Sequence, residues 1–235
     1  MGFLRVTLTA LLDAITPHFC VLCGSLPGGL PWLCDTCADG LDLRAGPCCL
    51  RCGSARPLPT PVCDACPDWP KRLVVARAAA PHVGTARALV HALKYRRALA
   101  AAQPLAHMVV GAARQLRLPA GVIVVPIPLH RARQRARGFN QAEEIARVVA
   151  RELGYPLRSR WLRRIRDGAP SIVRTVAGRR RAVRGAFRAA PQVRKCAVLL
   201  IDDVLTTGAT VGSAARALAR KGVGDVYVVT ATRSR

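Results

Sequence analysis

Residues 198–210 read Val-Leu-Leu-Ile-Asp-Asp-Val-Leu-Thr-Thr-Gly-Ala-Thr. Four apolar residues lead into two adjacent carboxylates and a short run of hydroxyls with one glycine, and apolar residues then return at Val211, Ala214, Ala215 and Leu218. A continuous apolar run followed by helical periodicity predicts strand, loop, helix. In an open parallel sheet, ligands sit where such loops leave the carboxyl ends of the strands, and the amides opening the next helix attract anions. Thr206, Thr207 and Thr210 add hydroxyl donors, and Gly208 lets the backbone approach a phosphate or adopt a positive φ. Asp202 and Asp203, as ionised acceptors, should face hydroxyls or a cation and not the phosphate itself. A ribose carrying a 5-phosphate offers both partners.

The stretch from Asp202 to Thr210 resembles the signature of the type I phosphoribosyltransferases. The resemblance implies that Asp202 and Asp203 hold the ribose 2- and 3-hydroxyls of phosphoribosyl pyrophosphate. It also implies that Thr206, Thr207, Gly208, Ala209 and Thr210 wrap the 5-phosphate, and that Mg²⁺ bridges the pyrophosphate and ribose oxygens.

At 235 residues and 51% hydrophobic composition, the chain can bury a full domain core with a small module to spare. No run of eighteen apolar residues exists, so no membrane span is expected. Residues 4–15 are apolar but short, contain Asp13 and lack a small-residue cleavage site; a docking helix over 1–16 is expected in place of a signal peptide, and a cytoplasmic location follows.

Nine of the ten cysteines fall in the first 66 residues, and eight obey a repeat. Cys20, Cys23, Cys34 and Cys37 recur, each shifted by 29, as Cys49, Cys52, Cys63 and Cys66; Gly24-Ser25 and Asp35 recur as Gly53-Ser54 and Asp64. Paired Cys-x-x-Cys knuckles hold tetrahedral Zn²⁺ through four thiolates, so residues 17–70 read as a small double zinc ribbon with two structural sites. A segment this rich in Pro and Gly cannot fold on its own apolar surface, and metal should supply on the order of 10 kcal/mol per site. The spacing leaves open whether neighbouring knuckles pair or the first and third share an ion. Cys48 and Cys196 read as spare thiols.

Residues 71–235 alternate strand-like and helical patterns: strands at 73–79, 122–125, from 198, and 226–230; helices at 85–97, 141–153 and from the loop to 221. That is α/β, with a parallel sheet covered on both faces. Residues 67–70 read as the linker. Residues 1–70 carry four arginines against six acids, net −2, whereas 71–235 carry 33 basic against seven acidic residues, net +26. The ribbon could lie against its basic neighbour, and so cationic a domain should attract polyanions, single-stranded DNA among them. The 33 arginines beside four lysines point to a compositional bias as well.

A second motif leaves the strand at Val125: Pro126-Ile127-Pro128-Leu129-His130, then Arg131, Arg133, Arg135 and Arg137, then Gly138-Phe139-Asn140-Gln141. With the acid signature, the upstream Leu93-Lys94-Tyr95 and the four-knuckle ribbon, the chain resembles the ComF group of phosphoribosyltransferase-like proteins over nearly its whole length. The resemblance implies a type I phosphoribosyltransferase-like domain over 71–235 and an association with natural competence and imported single-stranded DNA. Arg131, Arg133 and Arg137 become candidates for the pyrophosphate or a lid, and Lys94 a further one. Asn140 reads as a loop-positioning group or an N-cap, and His130 as a general base or a structural histidine. The arginines could equally grip nucleic-acid phosphates. Ser171 and Ala182 stand where the family usually has polar side chains, so the acceptor side departs from the pattern, although Arg179, Arg180 and Gly185-Ala186-Phe187 remain.

Departure of pyrophosphate as positive charge builds on the ribose needs positioning and electrostatics, with Asp202 and Asp203 the catalytic residues, chiefly as positioners and electrostatic partners of the developing oxocarbenium. The expectation is a phosphoribosyltransferase binding phosphoribosyl pyrophosphate with Mg²⁺. The alternatives are a non-catalytic nucleic-acid accessory using the pocket as a sensor, and a scaffold whose ribbon docks a DNA-uptake or helicase protein.

Overall fold

The computed structural model describes residues 19–43, 46–63, 66, 68–167, 178 and 181–234. The proposed helix over 1–16, Asp64, Pro67, Ser171, Arg179 and Arg180 lie outside the described residues. No described helix is long and apolar enough to cross a membrane.

The architecture is α/β. Strands β1 (Leu73–Pro81), β2 (Ile123–Pro126), β5 (Val198–Leu205) and β6 (Val226–Arg233) form a parallel sheet in the order β1-β6-β5-β2, and β3 (Leu162–Arg164) pairs antiparallel with β4 (Phe187–Ala189) in a separate hairpin. Helix α1 (Asp35–Asp39) lies in the cysteine-rich segment; α2 (Gly84–Tyr95), α3 (Ala102–Arg114), α4 (Arg131–Arg137), α5 (Gln141–Leu153) and α6 (Ala209–Ala219) belong to the larger part. Helix α3 went unanticipated because its Ala-rich sequence carries no start signal: no side chain caps it and no acid stands in its first turn.

β5 is central and fully covered, so its apolar run is continuous. Period-two alternation sends Leu199 and Ile201 to a core shared with α2, α3 and α5, and Val198 and Leu200 to a core shared with α6 and the β3–β4 hairpin. The strand runs two residues past the acids, so Asp202 and Asp203 lie inside it. The same alternation therefore turns Asp203 toward α2 and Asp202 toward the hairpin.

Both sheet edges carry partners, which shortens the unpaired rows that invite edge-to-edge association. At β2, Val124 N–H donates to Pro156 O and its carbonyl accepts from Arg158 N–H. At β1, Ala76 N–H donates to Arg51 O at 2.8 Å, and Arg77 donates to Leu50 O at 2.9 Å. The second cysteine group thus closes the sheet. Arg233, at the end of β6, fastens it further by donating to Cys52 O at 2.6 Å and Ser54 Oγ at 2.7 Å.

Candidate functional site

The acid pair sits at the carboxyl end of β5, with Asp202 9% and Asp203 4% exposed. Lys94 Nζ, on α2, approaches Asp203 Oδ2 to 2.6 Å but off the geometry of an ordinary hydrogen bond. Asp203 N–H donates to Asp202 Oδ1 at 2.9 Å. Burial, and then the neighbouring Asp203 charge, push the Asp202 carboxyl well above the usual carboxylate range, with Lys94 opposing. Such an acid can hold a proton and so donate as well as accept.

Behind Asp203 runs a relay that sequence reasoning missed. Thr232 Oγ1 donates to Asp203 O at 3.3 Å and stands 2.8 Å from His82 Nδ1; with its one proton committed, Thr232 must accept, so His82 donates from Nδ1. Burial and the charge of Lys94 lower the His82 pKa, which favours the neutral ring.

The loop follows. Thr206 is exposed, Thr207, Ala209 and Thr210 are half-buried, and Gly208 is the buried N-cap of α6 at φ 71°. No side chain caps α6, so its opening amides are available to an anion. Trp69 braces the loop from behind: its Nε1–H donates to Gly208 O at 3.1 Å, and a Cβ at Gly208 or Gly212 would lie 2.6 Å from the indole. A glycine is required at both positions by this close approach.

The arginines divide. Residues 131–137 form a short helix, not the loop expected, and residues four apart share a face. Arg133 Nε meets Asp167 Oδ1 at 3.1 Å, and Arg137 donates to Gln141 Oε1 at 2.5 Å. Arg131 and Arg135 line an open depression with Gln134 and Gly138. Arg164, on β3, was not foreseen: its guanidinium lies 5.6 Å from the Phe187 ring centroid, and burial and the Arg133 charge lower its pKa while the charges of Asp167 and Asp202 oppose. No local signal marks it, because only the hairpin's packing brings it there. Asn140 occupies the N-cap position of α5 without a side-chain cap bond; its Nδ2 donates to Ile127 O at 3.1 Å, while Oδ1 is buried without a partner among the described residues. His130 Nδ1 is also buried without a hydrogen bond among the described residues, 3.9 Å from Asp167 Oδ2. Ala182 is half-buried beside Val183.

The cysteines gather as two groups, Cys20 with Cys23, Cys34 and Cys37, and Cys49 with Cys52, Cys63 and Cys66. Neighbouring knuckles pair, and the shared-ion alternative is excluded. Sγ–Sγ separations of 3.5 and 3.8 Å in the first group and 3.5, 3.7 and 3.8 Å in the second match the edge of a ZnS₄ tetrahedron, about 3.8 Å for Zn–S bonds of about 2.3 Å. Burial acts to raise the Cys49 thiol, yet the backbone N–H groups of Cys52 and Arg51 bring it to about 6, while burial pushes Cys66 of the same group up to about 12. The donor sets fit structural zinc. Cys48 and Cys196 belong to neither group.

No protein-family model matches the chain. It is 33% identical over 222 residues to DNA utilization protein YhgH of Salmonella typhi, covering 90% of this chain and 95% of that protein. It is 27% identical over 223 residues to competence protein F of Haemophilus influenzae, covering 89% and 94% respectively. Among solved structures, it is similar to an allosteric regulatory enzyme of purine biosynthesis (TM-score 0.39, 19% identity, 55% of this chain and 26% of that one). It is also similar to TT1426 from Thermus thermophilus (TM-score 0.34, 22% identity, 55% and 72%).

Proposed function

Since this chain belongs to the ComF family, to which competence protein F and DNA utilization protein YhgH belong, we propose that it binds phosphoribosyl pyrophosphate with Mg²⁺ and serves DNA handling in competence. The observation that carries the reading is the buried acid pair at the end of β5, directly before a glycine-capped helix N-terminus. One end of that arrangement suits ribose hydroxyls and the other a phosphate.

In this reading the amides opening α6, with Thr206, Thr207 and Thr210, hold the 5-phosphate, while Asp202 and Asp203 orient the ribose. Lys94 is the counter-ion beside Asp203, and the raised pKa of Asp202 favours its protonated form, which can donate to a sugar oxygen. Arg133 and Arg164 face the leaving pyrophosphate. Mg²⁺ takes hard oxygen ligands and is commonly held by one or two carboxylates together with substrate phosphates, so this donor set fits it. When bound it would neutralise charge on the pyrophosphate. The activity proposed is transfer of the phosphoribosyl group, cytoplasmic and without a membrane span. We place the boundary between the zinc ribbon and this domain at 70/71.

Calorimetric titration with phosphoribosyl pyrophosphate and Mg²⁺ tests the reading. Saturable, Mg²⁺-dependent binding by the unaltered chain should weaken at least about tenfold in Asp202→Asn/Asp203→Asn, since two orienting acids are lost; equal affinity refutes it. A second reading, a nucleic-acid accessory with the pocket as ligand sensor, is favoured by the exposed arginines of α4 and the +26 charge of residues 71–235. In that reading the ribbon is the docking face for a DNA-uptake or helicase protein.

A further inference from the structure

A cleft of about 540 Å³ runs along the flank of α6, lined by Asp68, Trp69, Arg181, Arg184, Gly208, Ser213, Arg216 and Arg220 among others. None of Asp202, Asp203 and Lys94 lines it, whereas Gly208 and Ala209 of the threonine-glycine loop do. Its volume lies within the range of small-molecule sites, about 300–1,000 Å³. Ala209, Ser213, Arg216 and Arg220 follow helical spacing, so the cleft extends down the helix from the loop.

Four guanidiniums face one carboxylate, Asp68, a local net charge of +3. Arg181, Arg184 and Arg220 form no ion pair among the described residues, and all three are exposed. Arg216 alone is engaged: it donates to the Asp68 backbone carbonyl and reaches its carboxylate at 3.3 Å, although that side chain is 93% exposed. Gathering cations costs free energy through mutual repulsion, and one exposed acid offsets little of it. Planar guanidinium forks match phosphate oxygens in a way that a solvated basic face does not require.

We propose that this cleft is a second anion site, which takes the phosphate groups of a nucleotide or of a nucleic-acid strand. Asp68 competes with the incoming phosphate for Arg216. Gly208 and Ala209 belong both to this cleft and to the loop after the acid pair, and Trp69 is bonded to Gly208 O, so occupancy of the cleft is felt at the acid-pair pocket. The proposal deepens the nucleic-acid reading by giving it a location, and it does not depend on phosphoribosyl pyrophosphate binding.

The test uses the full zinc-loaded chain with two probes, ATP and a short oligothymidylate, at several salt concentrations. Arg184→Glu/Arg220→Glu alters two exposed side chains and should weaken binding about tenfold or more. For the oligonucleotide it should also flatten the log–log salt slope by roughly 1.4, about 0.7 for each phosphate no longer neutralised. Asp68→Asn should strengthen binding. Equal affinity for the two probes with a shallow slope identifies a nucleotide site; preference for the oligonucleotide with a steep slope identifies a strand site; either supports the proposal. Binding of both probes by the double variant within about twofold of the unaltered chain overturns it, as does failure of the unaltered chain to bind either at low salt. Phosphoribosyl pyrophosphate titrated into the same variant should bind as in the unaltered chain. Loss of that binding in Asp202→Asn/Asp203→Asn, with the cleft probes unaffected, separates the two sites.

Discussion

Trp69 and Gly208 give a double-mutant cycle with a determined sign. The indole is 5% exposed and packs against Gly208 and Gly212, so Trp69→Ala should cost about 3–5 kcal/mol through lost burial and the cavity left behind. That is a large fraction of a typical stability of roughly 5–15 kcal/mol. Trp69→Phe retains most of the ring but not the N–H that bonds Gly208 O, and should cost nearer 1 kcal/mol beyond repacking. Gly208→Ala carries two penalties: an L-residue at φ 71° costs roughly 1–2 kcal/mol, and a Cβ 2.6 Å from the indole adds about 1–3 kcal/mol of overpacking. Removing the indole removes the collision but leaves the φ penalty. The double variant should therefore be less destabilised than the sum of the singles by about 1–3 kcal/mol, the size expected for side chains that touch directly. Urea unfolding of zinc-loaded protein measures this, provided the m-value is unchanged. Additivity within about 0.5 kcal/mol would refute the idea that Trp69 braces the loop.

Lys94→Met leaves Asp203 buried without its counter-ion and should destabilise by about 3–5 kcal/mol; a loss below about 1 kcal/mol in the same unfolding assay would contradict the ion pair. Asp202 has a raised folded pKa, so between the ordinary carboxylate value of about 3.9 and that raised value the folded state holds a proton that the unfolded chain has released. Its contribution to stability thus falls as pH rises through that window, and Asp202→Asn should raise Tm at neutral pH with the gain vanishing in acid; a gain that instead grew toward low pH would reverse the assignment. Chelation should release two zinc ions per chain, and because Arg77 and Arg233 fasten the second group to β1 and β6, Tm should fall with it. An unchanged Tm after complete zinc release, measured by a colorimetric metal assay, would show the ribbon to be dispensable to the sheet.

Periodicity and spacing determined a good deal. The β5 run, the helix over Gln141–Leu153 and the four knuckles with their 29-residue shift were legible because each depends on residues close in the chain. So was the juxtaposition of two acids with a threonine-glycine loop. Other features depend on distant segments that no local pattern ties together. Lys94 reaches Asp203 only because α2 covers the face to which alternation turns that acid. Arg164 comes under the charge of Asp202 only because the β3–β4 hairpin packs on the opposite face. Trp69 read as part of a linker, but the packing of α6 made it the brace behind the loop. Cysteine spacing allowed two pairings of the knuckles, and only the three-dimensional separation of the thiols chose between them, because the choice is a matter of distance across the chain and not along it.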